Sequence, residues 1–349
     1  MNELLSTPID TLMQSHPYAK EFFFSFGLKE IAGHLSVAEF ISGLTDVFIE
    51  DCGIDREQML QHFAVFIRKM SDLKDAPQRQ VHSLTIIGGR NKNGEKEDIT
   101  LAFRPGEIVC VVGPTGSGKS RLLADIECLA QRDTPTGRQI LINDSIPDSE
   151  KRFSIENKLV AQLSQNMNFV VDLTVAEFIT MHAESRMISE IGTTVQKIVT
   201  CANELAGEPF GMSTPVTQLS GGQSRALMVA DTALLSPLPI VVIDEIENAG
   251  VDRRKALDLL VREEKIVLMS THDPILALMG DRRIVIKNGG IDSVVETNSL
   301  ERKNLRELQL IDAHMADLRD RIRSGKRIDF DMVKYFRNIG DLKNIKNVD

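Results

Sequence analysis

The chain has 349 residues, of which 42% are apolar and 26% charged; this is ordinary globular composition and excludes a disordered chain. A formal net charge of −9 argues against direct nucleic-acid binding, because a surface that tracks phosphates needs a positive field and releases counterions. No apolar run reaches bilayer length, and MNELLSTPID lacks a basic start followed by an apolar stretch, so a cytoplasmic chain with no transmembrane segment is expected. Cys52, Cys110, Cys128 and Cys201 show no CxxC spacing, which suggests neither a zinc site nor a disulfide framework.

Residues 1–75 read as a separate small helical domain. Ser36 with Glu39, and Asp55 with Gln58, have capping-box spacing and mark helix starts. Met59, Leu60, Phe63, Phe66 and Ile67 follow at three- and four-residue steps and predict one buried stripe. Phe22, Phe23, Phe24 and Phe26 form an aromatic cluster closed by Gly27, read as core rather than as a docking surface. The arrangement Pro8-Ile9-Asp10, His16-Pro17, Phe26-Gly27-Leu28 and Gly53-Ile54-Asp55 resembles small helical domains of anaerobic redox and iron–sulfur cluster repair proteins. Their cysteines are missing after the Gly-Leu turn, where this chain has Lys29-Glu30-Ile31-Ala32. The polar run SDLKDAPQRQ over 71–80 suits a linker.

The pattern then changes to strands. Val81–Ile87 and Asp98–Phe103 flank a polar turn with Asn93-Gly94 and predict an antiparallel hairpin. The apolar run Ile108–Val112 suits a buried parallel strand, and Arg121-Leu122-Leu123-Ala124-Asp125-Ile126 continues as a helix. Between them lies Gly113-Pro114-Thr115-Gly116-Ser117-Gly118-Lys119-Ser120, the phosphate-loop pattern. Its glycines let backbone N–H groups converge on phosphate oxygens; Lys119 reaches the β and γ phosphates, and the Ser120 hydroxyl ligates Mg²⁺. Further on come Gln165, the helix start Thr174 with Glu177, the run Leu219-Ser220-Gly221-Gly222-Gln223, a strand ending in Asp244-Glu245, and Ser270-Thr271-His272-Asp273 after Ile266–Met269. Taken singly, these could be an ordinary turn, a solvated strand end and a structural histidine.

In this order, over about residues 81–296, the motifs match those of ATP-binding cassette (ABC) ATPases, which the chain resembles. The resemblance implies an α/β fold: a P-loop NTPase core with an antiparallel β subdomain and a helical subdomain, over residues 76–296 with the helical part at about 166–235. A C-terminal helical extension over 297–349 completes the expected domains. It also implies Mg²⁺-dependent hydrolysis of ATP, with Asp244 on Mg²⁺, Glu245 as base or polariser of the attacking water, Gln165 sensing metal and water, and His272 on the γ-phosphate. Ser220, Gly221, Gly222 and Gln223 would meet the nucleotide of another cassette, and Asp252 would cross that interface. A head-to-tail homodimer, or a pair with a similar cassette, is expected.

Three stretches depart from the family pattern. Val81–Arg90 holds no Phe, Tyr or Trp to stack on adenine, and His82 is its only ring. Glu245 is followed by Ile246-Glu247-Asn248-Ala249-Gly250-Val251-Asp252, one residue longer than usual and without Pro-Thr. The helix after the signature, Ser224–Asp231, has an acid where a second Arg is common. In the tail, Leu305, Leu308, Ile311, Met315, Leu318 and Ile322 predict an amphipathic helix over about 300–324 that packs on its own domain, with a shorter helix around Phe330–Ile339. The appended N-terminal domain and divergent flanks favour a cytosolic ATPase that remodels or matures an unknown protein partner. The alternative is the nucleotide-binding subunit of a membrane ABC transporter with a separate permease, peripheral on the inner face. A DNA-repair or chromosome-structuring ATPase is the third reading, disfavoured because no long coiled coil splits the cassette.

Overall fold

The computed structural model describes residues 2–28, 30–75, 81–152, 158–164, 169–186, 188, 190–245 and 251–337. They fall into two compact units, residues 1–80 with 184–189, and residues 81–183 with 190–349.

The first unit is helical: α1 (Asn2–Ser6), α2 (Ile9–Ser15), α3 (Ala19–Ser25), α4 (Val37–Ser42), α5 (Asp46–Cys52) and α6 (Arg56–Asp75). Both predicted capping boxes form. Ser36 Oγ accepts from the Glu39 N–H while Glu39 accepts from the Ser36 N–H at 2.9 Å. Asp55 and Gln58 exchange the equivalent bonds at 3.1 and 2.7 Å. Each box satisfies donors that a helix start leaves unpaired. Met59, Phe63 and Ile67 carry the α6 stripe into a core with Phe22, Phe23, Val37 and Ile41, and Leu60 and Phe66 pack against its edge. Phe63 meets Phe22 edge-on at 5.1 Å between ring centroids. Phe24 departs from the predicted cluster and faces solvent, since three consecutive positions cannot all point to one side of a helix.

The second unit contains β1 (Leu84–Ile87), β2 (Thr100–Phe103), β3 (Ile108–Val112), α7 (Lys119–Glu127), β4 (Gln139–Ile142), α8 (Ser149–Arg152) and β5 (Val160–Leu163). It continues through α9 (Val175–Ser185), α10 (Ile191–Leu205), α11 (Gly221–Leu234), β6 (Ile240–Asp244), α12 (Arg253–Arg262), β7 (Ile266–Ser270) and α13 (Pro274–Met279). It closes with β8 (Arg282–Lys287), β9 (Gly290–Glu296), α14 (Ser299–Arg323) and α15 (Met332–Arg337). The main sheet has the order β5-β6-β7-β3-β8-β9. Its first five strands run parallel and β9 returns antiparallel. Strands buried on both faces read as continuous apolar runs, and β3, β6 and β7 are such runs. The predicted hairpin forms, pairing Leu84 with Phe103 and Ile87 with Thr100. β4 joins its other edge to give the antiparallel sheet β2-β1-β4. Helix α7 packs against β4, β5, β6 and β7, while α10 and α11 pack together.

A buried ion cluster ties these layers. Arg138, at 0% exposure, donates to Glu97 at 2.6 and 2.9 Å, to Asp125 of α7 at 3.1 Å and to the Gly289 carbonyl at 2.8 Å. Glu97 also accepts from the Gly89 and Ile291 N–H groups, and Asp125 from Thr136 Oγ1. Burial works against the Glu97 charge, but the Arg138 and backbone hydrogen bonds outweigh it and hold this carboxyl below its ordinary value of 4.5.

Helix α14 forms as predicted, but its apolar stripe packs only in part. Leu318 is buried, whereas Ile311, Met315 and Ile322 are exposed. Ionic contacts also link the helix to its unit: Glu301 to Arg283 at 2.5 Å, Arg302 to Asp281 at 3.0 Å, and Asp312 to Arg253 at 3.2 Å. Helix α15 folds back on it through Tyr335 Oη to Asp317 at 2.6 Å.

Replacing Arg138 by Met would leave two carboxylates buried without their cation. The urea transition of the second unit is expected to fall by about 3–5 kcal/mol at neutral pH. A depressed carboxyl contributes stability above its unfolded pKa and loses it as pH falls through the folded one. The parent should therefore weaken below pH 4.5, with a slope from Glu97 that Arg138→Met lacks.

Candidate nucleotide site

Three parallel strands bring the site together. β7 lies between β6 and β3, so Gly113 leaving β3, Asp244 ending β6 and Thr271 leaving β7 emerge at the same edge of the sheet. Carboxyl ends of parallel strands are where open α/β sheets bind ligands.

The loop after β3 needs its glycines. Gly113, Gly116 and Gly118 have φ of 149°, 75° and 110°, a region that side chains disfavour. A Cβ on Gly113 would lie 2.3 Å from the Ile286 carbonyl oxygen. Lys119, the first residue of α7, is buried, and its Nζ donates to the Gly113 and Pro114 carbonyls at 3.0 and 3.3 Å. Ser117 Oγ is buried with no hydrogen-bond partner among the described residues. A buried hydroxyl left so in a glycine-rich loop that opens a helix fits an anion. The loop is braced from outside: the Gly289 N–H donates to the Ser117 carbonyl at 2.7 Å, and Lys92 Nζ donates to the Gly116 carbonyl at 2.8 Å. Pro114 and Thr115 complete the turn.

Opposite the loop, Ser120 Oγ lies 3.4 Å from Asp244 Oδ1, which also accepts from Ser270 Oγ. Glu245 turns to φ 50°, and its N–H donates to the Ser270 carbonyl at 3.3 Å. Strict strand alternation would point Asp244 and Glu245 apart. The left-handed turn instead places Glu245 Oε1 2.8 Å from His272 Nε2. The structure thus brings Ser120, Asp244, Glu245 and His272 into the cluster expected of them.

The remaining candidates have other placements. Ser220 caps α11: its Oγ accepts from the Gln223 N–H at 3.3 Å, and Gln223 Oε1 accepts from the Ser220 N–H at 2.9 Å. Gly221 and Gly222 form the first turn, where helix N–H groups are unpaired and the dipole is positive. Asp252 caps α12, accepting from the Lys255 N–H at 3.1 Å. The backbone N–H of His82 donates to Asn143 Oδ1 at 2.7 Å. The predicted acid in the signature helix, Asp231, is buried against His182 Nδ1 at 3.1 Å. Gln165 and the insertion 246–250 lie outside the described residues. Sequence reasoning missed Ser270, which strand register opposite Asp244 could have shown, and Lys92, for which there was no local signal.

The profile of the ABC transporter family matches residues 96–248. An uncharacterized ABC transporter ATP-binding protein of Methanocaldococcus jannaschii is 51% identical over 250 residues, which span 71% of this chain and 95% of that protein. The chain belongs to the ABC transporter family. It is an ATPase, and its mixed α/β core is that of a P-loop NTPase. A lipoprotein-releasing system ATP-binding protein of Psychrobacter arcticus is 27% identical over 201 residues, 55% of this chain and 86% of that protein. A dimeric post-hydrolysis ATP-binding cassette bound to ADP and Pi overlays with a TM-score of 0.47 at 23% identity, covering 62% of this ABC ATPase and 99% of that chain.

Gly113→Ala should push the loop off Ile286 and weaken ATP binding by about tenfold or more, in line with the steep cost of small misplacements. Nucleotide titration of the purified protein measures this; wild-type affinity would show that the loop tolerates the Cβ.

Proposed function

We propose that this ABC ATPase is the energy-supplying subunit of a membrane transporter whose permease is a separate polypeptide. The observation that carries the reading is the match along 95% of an ABC transporter ATP-binding protein at 51% identity. The reading first drawn from the sequence, a cytosolic remodelling ATPase, has less behind it: the N-terminal helical unit fits either role. Among the described residues no helix is long and apolar enough to cross a membrane.

The chemistry follows from the cluster at the strand ends. Loop N–H groups, Lys119 and Ser117 hold the triphosphate of ATP. Ser120 and Asp244 are the residues that would hold Mg²⁺, an ion suited to one or two protein oxygens plus phosphate oxygens, and when bound it would neutralise charge developing on the phosphates. Glu245 accepts a proton from the attacking water as the water oxygen bonds to the γ phosphorus. The bond to the bridging oxygen breaks, and that oxygen leaves with ADP. His272 orients the Glu245 carboxylate and faces the γ-phosphate. Ser220, Gly221, Gly222 and Gln223 at the N-terminus of α11 complete the site of a second copy in a head-to-tail dimer. Gln165 and Asp252 are assigned to metal sensing and the dimer interface on the family resemblance.

The test uses a tagged Glu245→Gln variant, isolated from native cells in mild detergent with Mg-ATP and weighed by native mass spectrometry. Two copies of the chain with a polytopic membrane protein in near-equal amount are expected. A soluble partner without any membrane protein would overturn the transporter reading, and a single copy with no second cassette beside it would overturn the shared site.

A further inference from the structure

Arg253 opens α12, one residue after the Asp252 cap, on the chain that leaves Glu245. Its Nη1 donates to Oδ2 of Asp273, the residue that follows His272, and its Nη2 donates to Asp312 Oδ2 of α14 at 3.2 Å. The other Asp273 oxygen accepts from the Ile275 and Leu276 N–H groups at 2.7 and 3.3 Å, so Asp273 also caps α13. The Asp273 N–H donates to Thr271 Oγ1 at 3.0 Å, and the buried Thr271 donates its own N–H to the Val111 carbonyl of β3 at 3.1 Å. The segment bearing His272 is therefore fixed to the strand below it and, through Asp273, to Arg253. On the far side His272 meets Glu245 at 2.8 Å. His272 is thus held on one side by its contact with Glu245 and, through the adjacent Asp273, by Arg253.

We propose that Arg253 is a positioning residue for hydrolysis, holding His272 against Glu245 through Asp273, and that Asp312 makes α14 part of this clamp. The proposal rests on the reading of Glu245 and His272 as the hydrolytic pair. A guanidinium suits the task because its planar fork grips two carboxylates in fixed directions, which an ammonium cannot do. Asp312 belongs to the C-terminal helix α14. The clamp gives that helix a task in the site: it restrains the free arm of Arg253. Partly exposed ion pairs contribute little stability in themselves, whereas a shift of about 1 Å in a reacting group can cost about a hundredfold in rate.

Steady-state hydrolysis of Mg-ATP by the full chain, together with ¹⁵N NMR of the His272 ring, tests the clamp. The ring signal is identified by its loss in His272→Gln. Arg253→Met is expected to lower kcat by about tenfold or more with KM within about twofold, and to move the His272 signal. Arg253→Lys should recover part of the rate, since one ammonium reaches Asp273 alone. Asp312→Asn should lower kcat by a smaller factor without moving KM. A purely structural role would lower the thermal midpoint and leave kcat per bound ATP and the ring signal unchanged; that result in Arg253→Met overturns the proposal. If Arg253→Met does not fold, Asp312→Asn decides by the same two readings. Wild-type rates in Glu245→Gln would remove the hydrolytic pair itself, and the ring signal alone would then decide whether Arg253 places His272.

Discussion

Arg138 holds a full positive charge with no contact to water, and the two carboxylates that neutralise it come from distant parts of the chain. Glu97 belongs to the connection between β1 and β2, and Asp125 to the helix that follows the phosphate loop. Burying an ion this deeply is costly, and the geometry repays it only when every remaining donor and acceptor is matched. Here the match includes the Gly289 carbonyl, on the turn whose N–H braces Ser117. The same cluster thus fixes the antiparallel sheet, the first helix of the core and the outer wall of the loop. One oxygen of Asp125 is buried without a hydrogen-bond partner among the described residues, which makes loss of the cation still harder to absorb.

On that frame the chemistry is a matter of strand order. Parallel strands deliver their carboxyl ends to one edge, and β7 sitting between β3 and β6 sets the phosphate loop, Asp244 and His272 side by side. The last adjustment is local. A left-handed residue at Glu245 costs about 1 kcal/mol or more for a side-chain-bearing residue, and it turns the carboxylate from the wrong face of the strand toward His272. Strain of this kind at the residue assigned to polarise water is where a site would place it, since the same turn brings two acids from adjacent positions into one cluster.

Much of this was legible in the sequence for a physical reason: phosphate binding and water activation need particular groups at short, fixed spacings. The loop from Gly113 to Ser120, the acids at 244 and 245, and the capping boxes at Ser36, Asp55 and Thr174 are all of this local kind. The Arg138 cluster was not legible, because its partners are separated in sequence and buried charge has no periodic signature. Ser270 escaped for a related reason, since only the register of β6 against β7 places its hydroxyl on Asp244. The stripe on α14 misled in the other direction: spacing shows that a helix has an apolar face but not that a surface exists to cover it. Partner identity was not legible, as an appended helical unit carries no information about what it binds; the comparison with a relative matched along 95% of its length supports the transporter alternative better than the remodelling reading.

Glu245, turned toward His272 at the end of β6, is the group assigned to polarise the water that attacks ATP. Phosphate release at saturating Mg-ATP, with ATP affinity measured alongside, tests it most directly in Glu245→Gln against the parent. A rate lower by about a hundredfold or more with ATP binding retained is the predicted result, within the range that a positioned acid–base group contributes. A loss of less than about tenfold would contradict it and move the catalytic role to another group at the strand ends.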